Sequence, residues 1–210
     1  MPSVTHAPPI VFVVDDDVSV RDSLELLIQC EGWHAETFAS ASEFLAHPRR
    51  SVPSCLVLDV SMPGLNGLEL QKRIANDRTD MPIIFITGYG DIPTTVEAMK
   101  AGAVEFLTKP CRDQELLDAV RLAIERDRAR RKDERNVTVL KSQFASLTAR
   151  EKEILSFVTS GLLNKQIAAE LGISVVTVKM HRGNIMRKMR AYLVRMADLL
   201  GISRSRPIAP

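Results

Sequence analysis

Five short runs of β-branched and other apolar residues constrain what the first 125 residues can fold into more than any other feature of the chain. They are Ile10–Val14, Trp33–Phe38, Cys55–Leu58, Pro82–Thr87 and Val104–Leu107. Each has the length of one strand buried on both faces. Between them lie segments with helical spacing of apolar residues: Ser19–Cys30, Ala41–Ala46, Leu68–Asn76, Pro93–Lys100 and the stretch from Asp113 onward. Strict alternation of strand and helix excludes hairpins. It predicts an α/β domain with a doubly wound five-stranded parallel sheet covered by helices.

Past residue 125 the pattern changes. The segment ERDRARRKDERN, 125–136, holds one apolar residue. It therefore lacks a face to bury and reads as a linker, either a solvated helix or a disordered hinge. Ser146 or Thr148 can cap a helix running to Gly161, and Glu151, three residues after Thr148, completes a capping-box pattern. Further helical segments near Asn164–Leu171, Val175–Met189 and Leu193–Leu200 make a small all-α, four-helix domain, with a frayed tail over Ser203–Pro210. The expected division is 9–125, a helical linker at 126–142, and 143–204.

Charge divides the chain at the same place. Residues 1–125 hold 10 Lys/Arg against 19 Asp/Glu, a net of −9, whereas 126–140 carry +3 and 141–210 carry +8. An acidic half joined to a basic half points to a cation or phosphate site at one end and a polyanion at the other. No apolar run approaches the length of a membrane span, and Met1–Pro9 lacks the blocks of a signal peptide, so a cytoplasmic protein with no membrane partner is expected. Cys30, Cys55 and Cys111 are odd in number and widely spaced, which fits reduced, packed thiols.

In an open parallel sheet, ligands gather beyond the carboxyl ends of the strands. Here the first run ends in Asp15, Asp16 and Asp17, the third in Asp59, the fourth in Thr87, and the fifth in Lys109 followed by Pro110. Singly, each is an ordinary turn or loop residue. Jointly, crowded carboxylates repel unless a hard divalent cation takes their oxygens, and Mg²⁺ suits such a site. With that charge neutralised, Asp59 can attack phosphorus and form an acyl phosphate. Lys109 supplies a compact cation for phosphoryl oxygens, and Thr87 a hydroxyl.

These residues carry a resemblance. The motifs VVDDD at 13–17, LDVSMPGLNGLEL at 58–70, ITGYGD at 86–91 and FLTKP at 106–110 occur in order, and residues 10–125 closely resemble the receiver domain of response regulators, which is flavodoxin-like. The resemblance implies that Asp59 is the phosphoacceptor, Asp16 a metal-binding carboxylate, Asp15 its outer-sphere support, and the Ser61 main-chain carbonyl a third metal ligand. It also puts Thr87, Phe106 and Lys109 in switch and phosphate-coordinating positions and implies a cis Lys109–Pro110 bond. Ser61 departs from relatives that carry Arg or Met there.

In the basic end, NKQIAAELGISVVTVKMHRG at 164–183 has the spacing of a helix-turn-helix. Ala168 allows close crossing, Gly172 the turn, and Val178 a contact on the second helix, which Ser174 can cap. On that helix Val178, His181, Ile185 and Met189 form an inward stripe, leaving Val176, Lys179, Met180, Gly183 and Arg187 outward. Lys179 and Met180 fall near base edges, and Arg182, Lys188 and Arg190 can meet phosphates; Lys165 and Thr177 complete the candidate DNA contacts. With LTAREKEIL at 147–155 and TVKMHRGNIMRKM at 177–189, residues 146–202 resemble the LuxR-type DNA-binding domain. The order of parts is similar to the FixJ/NarL family of two-component response regulators. Two departures stand out: Val176, where relatives often carry a polar or basic residue, and Arg190-Ala191-Tyr192 in place of a Gly-containing junction.

The resemblance implies a phosphorylation-dependent transcription regulator. A sensor histidine kinase would supply the phosphoryl group, and the chain would act as no enzyme beyond taking it up and slowly losing it. Receiver dimerisation through 97–107 and the following helix, promoter DNA binding and contact with RNA polymerase would follow. An aspartyl-phosphate phosphohydrolase is the enzymatic alternative, but it needs a carboxylate where Ser61 stands. A regulator acting through protein or RNA is the other.

Overall fold

The computed structural model describes residues 8–48, 50–77, 81–88 and 91–199, with side chains through Met189 except those of Asn76 and Asp77. The chain forms two compact units that divide between Lys132 and Asp133. The first contains β1 (Ile10–Val14), α1 (Val18–Cys30), β2 (His34–Phe38), α2 (Ala41–Ala46), β3 (Ser54–Asp59), α3 (Gly67–Asp77), β4 (Ile83–Thr87), α4 (Ile92–Lys100) and β5 (Glu105–Thr108). The helix α5 (Asp113–Ala145) follows, and the second unit adds α6 (Ala149–Thr159), α7 (Asn164–Leu171) and α8 (Val175–Leu199). All five sequence-predicted strands form, displaced by at most one residue at either end.

The five strands pair in parallel in the order β2-β1-β3-β4-β5. Chain direction across the sheet reverses between β1 and β3, so the loops leaving these two strands part and open a crevice at their carboxyl ends. The strand period of two feeds two cores. Phe12, Leu58 and Phe85 face Phe44, Leu70 and Ile74 on one side. Val11, Val57 and Ile84 face Ile28, Leu116 and Val120 on the other. Every residue of β1, β3 and β4 is buried, so each strand end is fixed by packing on both faces.

The charged run after residue 125 buries more than its composition predicts. It lies within α5, and Asp127 is almost wholly buried. Its carboxylate accepts the Ser54 N–H at the start of β3 at 2.9 Å and pairs with Arg130 and Arg131 one turn along its own helix. A buried charge is tolerated when it is paired and hydrogen-bonded, so a polar segment docks without an apolar face.

Of the three thiols, Cys55 is buried and Cys111 half-buried, but Cys30 is exposed at the last position of α1 and corrects the expectation that all are packed. Burial, then the nearby Asp127 charge, pushes the Cys55 thiol far above its ordinary value. In native protein a thiol reagent should therefore label Cys30 first and leave Cys55 untouched until denaturant is added. Peptide mapping of the adducts checks this; early label on Cys55 would contradict the packing.

In the second unit Leu147, Ile154, Ile167, Ala168, Val178 and Ile185 form the core. Thr148 caps α6: its hydroxyl accepts the Glu151 N–H at 3.2 Å, while Glu151 Oε2 accepts the Thr148 N–H at 2.8 Å. Gly172 ends α7 in the left-handed region at φ 62°, the conformation that makes the turn before α8. The separate fourth helix expected at 193–200 does not form: α8 continues through it to Leu199. Arg190-Ala191-Tyr192 holds no Gly or Pro, so nothing in that junction stops the helix. Leu200, the tail Ser203–Pro210, and Tyr89 and Gly90 of the ITGYGD motif lie outside the described residues, as does the Arg190 side chain.

Candidate functional site

The strand ends bring the acidic residues together. Asp15, completely buried, follows β1, Asp16 beside it is exposed, and Asp59 closes β3 with its side chain 8 % exposed. One carboxylate oxygen from each lies within 4.8 Å of the others. Lys109, just past β5, sets Nζ 2.6 Å from Asp15 Oδ2 and 3.4 Å from Asp59 Oδ2. The Lys109–Pro110 bond is cis, and the Lys109 N–H donates to the Thr87 carbonyl at 2.7 Å. Thr87 itself is buried at the end of β4. Phe106 lies one strand over, half-buried, its ring 6.1 Å from that of Phe85.

The charges in this cluster do not balance. Burial raises the Asp59 pKa; Lys109 lowers it, Asp15 raises it again, and the Ser61 N–H, 3.4 Å from Oδ1, lowers it slightly, with a net rise. Burial works against the Lys109 ammonium, yet the hydrogen bond and charge of Asp15, then Asp59, hold it above the ordinary lysine range. A carboxylate destabilised as an anion, beside an exposed carboxylate and a second buried one, is a hard-oxygen set short of positive charge. That donor set fits a divalent cation of the Mg²⁺ kind, and Asp16, Asp59 and the Ser61 main chain are the groups that would hold it.

Three further residues shape this site: the sequence reading placed Asp17 among the crowded carboxylates, where it is instead a helix cap, and missed Arg21 and Gly67. Asp17 caps α1 by accepting the Ser19 N–H at 2.8 Å, and its own N–H donates to Asp15 Oδ1 at 3.0 Å. Arg21, one turn into α1, donates to the Asp15 carbonyl at 2.7 Å. Gly67, at the start of α3, backs directly onto the Asp59 main chain, where a Cβ would meet the carbonyl oxygen at 2.4 Å. Asp17 had its signal as a capping residue type just ahead of a predicted helix, and Gly67 as a second glycine eight residues after Asp59; Arg21 had none.

In the second unit the outward face is as expected. Val176, Lys179, Met180, Gly183 and Arg187 are all exposed on α8, and Lys165 is exposed on α7. Val178 and Ile185 are buried, with His181 and Met189 half-buried beside them. Ser174 caps α8 through the Thr177 N–H at 3.0 Å. Arg182 donates to Asn164 Oδ1 at 2.5 Å, tying the two helices of the motif together.

Lys188 already has partners within the unit: its Nζ lies 2.6 Å from Glu151 Oε2 and 3.2 Å from the Ser146 carbonyl, so this cation supports the α6 cap. The reason is that Glu151 is buried and needs a charge partner. The Lys188 hydrogen bond, then the Thr148 N–H, hold the Glu151 carboxyl below its usual range. A depressed folded-state pKa adds stability that is present above the unfolded carboxylate range and lost as pH falls through the folded value. Glu151→Gln should therefore speed hydrogen exchange in α6 at neutral pH, with the difference from wild type closing below about pH 4. A pH-independent difference would contradict this pairing.

Comparison with known proteins matches both units. Residues 11–121 match the response regulator receiver domain family, and residues 145–197 the family described as bacterial regulatory proteins, luxR family. The chain is 55 % identical to Nodulation protein W of Bradyrhizobium diazoefficiens, over 92 % of this chain and 87 % of that protein. It is 46 % identical to the response regulator protein TodT of Pseudomonas putida, over 91 % and 86 %. Among solved structures, the response regulator StyR is similar at a TM-score of 0.80 and 49 % identity, covering 91 % of this chain and 99 % of that one.

Proposed function

Because the chain belongs to the FixJ/NarL family of two-component response regulators, with a receiver and a LuxR-type DNA-binding domain, we propose that Asp59 accepts a phosphoryl group from a sensor histidine kinase and thereby controls promoter binding. The observation that carries this reading is the convergence of Asp15, Asp16, Asp59 and Lys109 at the ends of β1, β3 and β5.

Asp59 is the nucleophile: its carboxylate oxygen bonds to phosphorus as the donor's phosphorus–nitrogen bond, or the phosphorus–oxygen bond of acetyl phosphate, breaks. Mg²⁺ would supply charge neutralisation for the crowded oxygens, held by Asp16, Asp59 and the Ser61 main chain with Asp15 behind them. Lys109 already spans Asp15 and Asp59, so a phosphoryl group of about −2 charge on Asp59 draws its ammonium inward, onto the phosphoryl oxygens. The Thr87 hydroxyl follows to a phosphoryl oxygen, and Phe106 turns into the space it leaves.

The surface of α4, β5 and the first part of α5 changes with them and forms a homodimer. Residues 9–125 act as the receiver, 126–142 as the linker, and 143–204 as the domain that binds double-stranded promoter DNA and brings in RNA polymerase. Lys165, Val176, Thr177, Lys179, Met180, Arg182, Gly183, Arg187 and Lys188 form its DNA face. No helix among the described residues is long and apolar enough to cross a membrane, which fits action in the cytoplasm. Ser61, exposed beside Asp59, leaves the phosphoaspartate open to water, which supports self-dephosphorylation, and its hydroxyl cannot serve as the acid–base carboxylate that a phosphohydrolase needs there.

Footprinting on genomic DNA tests the whole chain of events. With Mg²⁺, acetyl phosphate should strengthen or extend protection by wild type and leave Asp59→Asn unchanged. An equal response in both proteins would overturn the mechanism.

A further inference from the structure

The outward face of α8 carries two side chains with no hydrogen-bond donor, Val176 and Met180. Val176, Met180, Gly183 and Arg187 fall at i, i+4, i+7 and i+11, a single stripe along the helix. Val176 is 75 % exposed and Met180 55 %, and neither belongs to the core of the second unit. The two side chains lie one helical turn apart on the same face.

Gly183 is not explained by folding. A glycine inside a helix is destabilising relative to alanine, yet a Cβ there would meet nothing within 4 Å. The missing side chain serves close approach from outside. Of the polar neighbours of the stripe, the Thr177 hydroxyl is shared with Ser174 Oγ at 2.8 Å, and Arg182 is bonded to Asn164. Exposed Lys165, Lys179 and Arg187 surround the stripe with positive charge, complementary to a phosphate backbone.

A helix placed this way in the major groove meets base edges with Val176 and Met180, and these two side chains offer no donor. The one base feature that rewards such a surface is the C5 methyl of thymine. We propose that Val176 and Met180 recognise thymine methyl groups, so that each half-site of this protein's operator carries thymines at the two base pairs beneath them. The proposal rests on the duplex-DNA reading above and names the chemistry of its specificity.

Binding sites selected from a random duplex pool by the full-length protein, with acetyl phosphate and Mg²⁺, supply the test. Each thymine of the selected site is replaced singly by deoxyuridine, which removes only the methyl, and affinity is measured by fluorescence anisotropy. Two positions in each half-site should lose about fourfold in affinity, the effect of one methyl-sized group leaving an apolar contact. Val176→Ala should abolish the loss at one position and Met180→Ala at the other; both side chains are exposed, so neither change disturbs the fold. Equal affinity for thymine and deoxyuridine throughout, or losses that persist in both variants, would overturn the proposal while leaving DNA binding intact. Failure to select any duplex sequence would instead overturn the DNA-binding reading, and this proposal with it.

Discussion

Asp59→Asn should take up no phosphoryl group from acetyl phosphate and yet melt at a higher temperature than wild type at pH 7 in Mg²⁺-free buffer. The first outcome follows from the loss of the nucleophile, and intact-mass measurement reads it directly. The second follows from the imbalance in the site, where burial and the Asp15 charge raise the Asp59 pKa despite Lys109. A group whose folded-state pKa is raised favours the native state when protonated, and that stability is lost as pH rises through the folded value. Wild type therefore carries a destabilising charge at neutral pH. The amide carries none, and Lys109 keeps its 2.6 Å contact with Asp15 in the variant.

The advantage of the variant should be absent below the ordinary carboxylate range, appear as pH rises through the raised folded-state value, and then level off. Adding Mg²⁺ should narrow it, because an ion bound by the native site stabilises wild type by mass action. Thermal melts across pH, with EDTA and with Mg²⁺, check these trends. A variant that melted lower at pH 7, or by a pH-independent margin, would show that Lys109 more than compensates for the burial of Asp59.

Gly67→Ala should be the most damaging single-methyl change near the site. Its Cβ would stand 2.4 Å from the Asp59 carbonyl oxygen, 3.0 Å from Val60 Cα and 3.1 Å from Cε1 of the buried Phe85 ring. Two of these neighbours are backbone and cannot rotate away, so either β3 or α3 must move. Overpacking of this kind lowers stability by roughly 1–3 kcal/mol or more. The displacement falls on the main chain of the phosphoacceptor itself. Misplacing a reacting group by an ångström lowers rates by up to about 10²-fold, and uptake from acetyl phosphate should fall toward that limit. Melting and phosphorylation rates close to wild type would show that α3 yields freely, and the close approach would then have no role in aiming Asp59.

Much of the acidic site was legible because the chemistry sits at strand ends, and strand ends are marked by where apolar runs stop. Asp15, Asp59, Thr87 and Lys109 each follow such a run. Their convergence needs only a parallel sheet with a switch point. Asp127 was illegible for the opposite reason: its segment has no apolar face, and only the Ser54 N–H and two guanidinium groups around it make its burial tolerable. Lys188 looked like its neighbours in sequence. What sets it apart is Glu151, 37 residues earlier, buried by the helical packing and in need of a cation.

By itself, then, the sequence determined the period-two and helical patterns, the turn at Gly172, the Thr148 cap and the residues available for phosphoryl chemistry, because each depends on neighbours a few positions away. Tertiary structure alone decided which charges are paired internally, as with Asp127, Glu151 and Lys188, and which remain exposed, as with Lys179 and Arg187. It also decided how closely α3 approaches Asp59 and how far Lys109 reaches between two carboxylates. Burial and distance between segments far apart in the chain set the strength of an electrostatic interaction, and neither exists until the chain has folded.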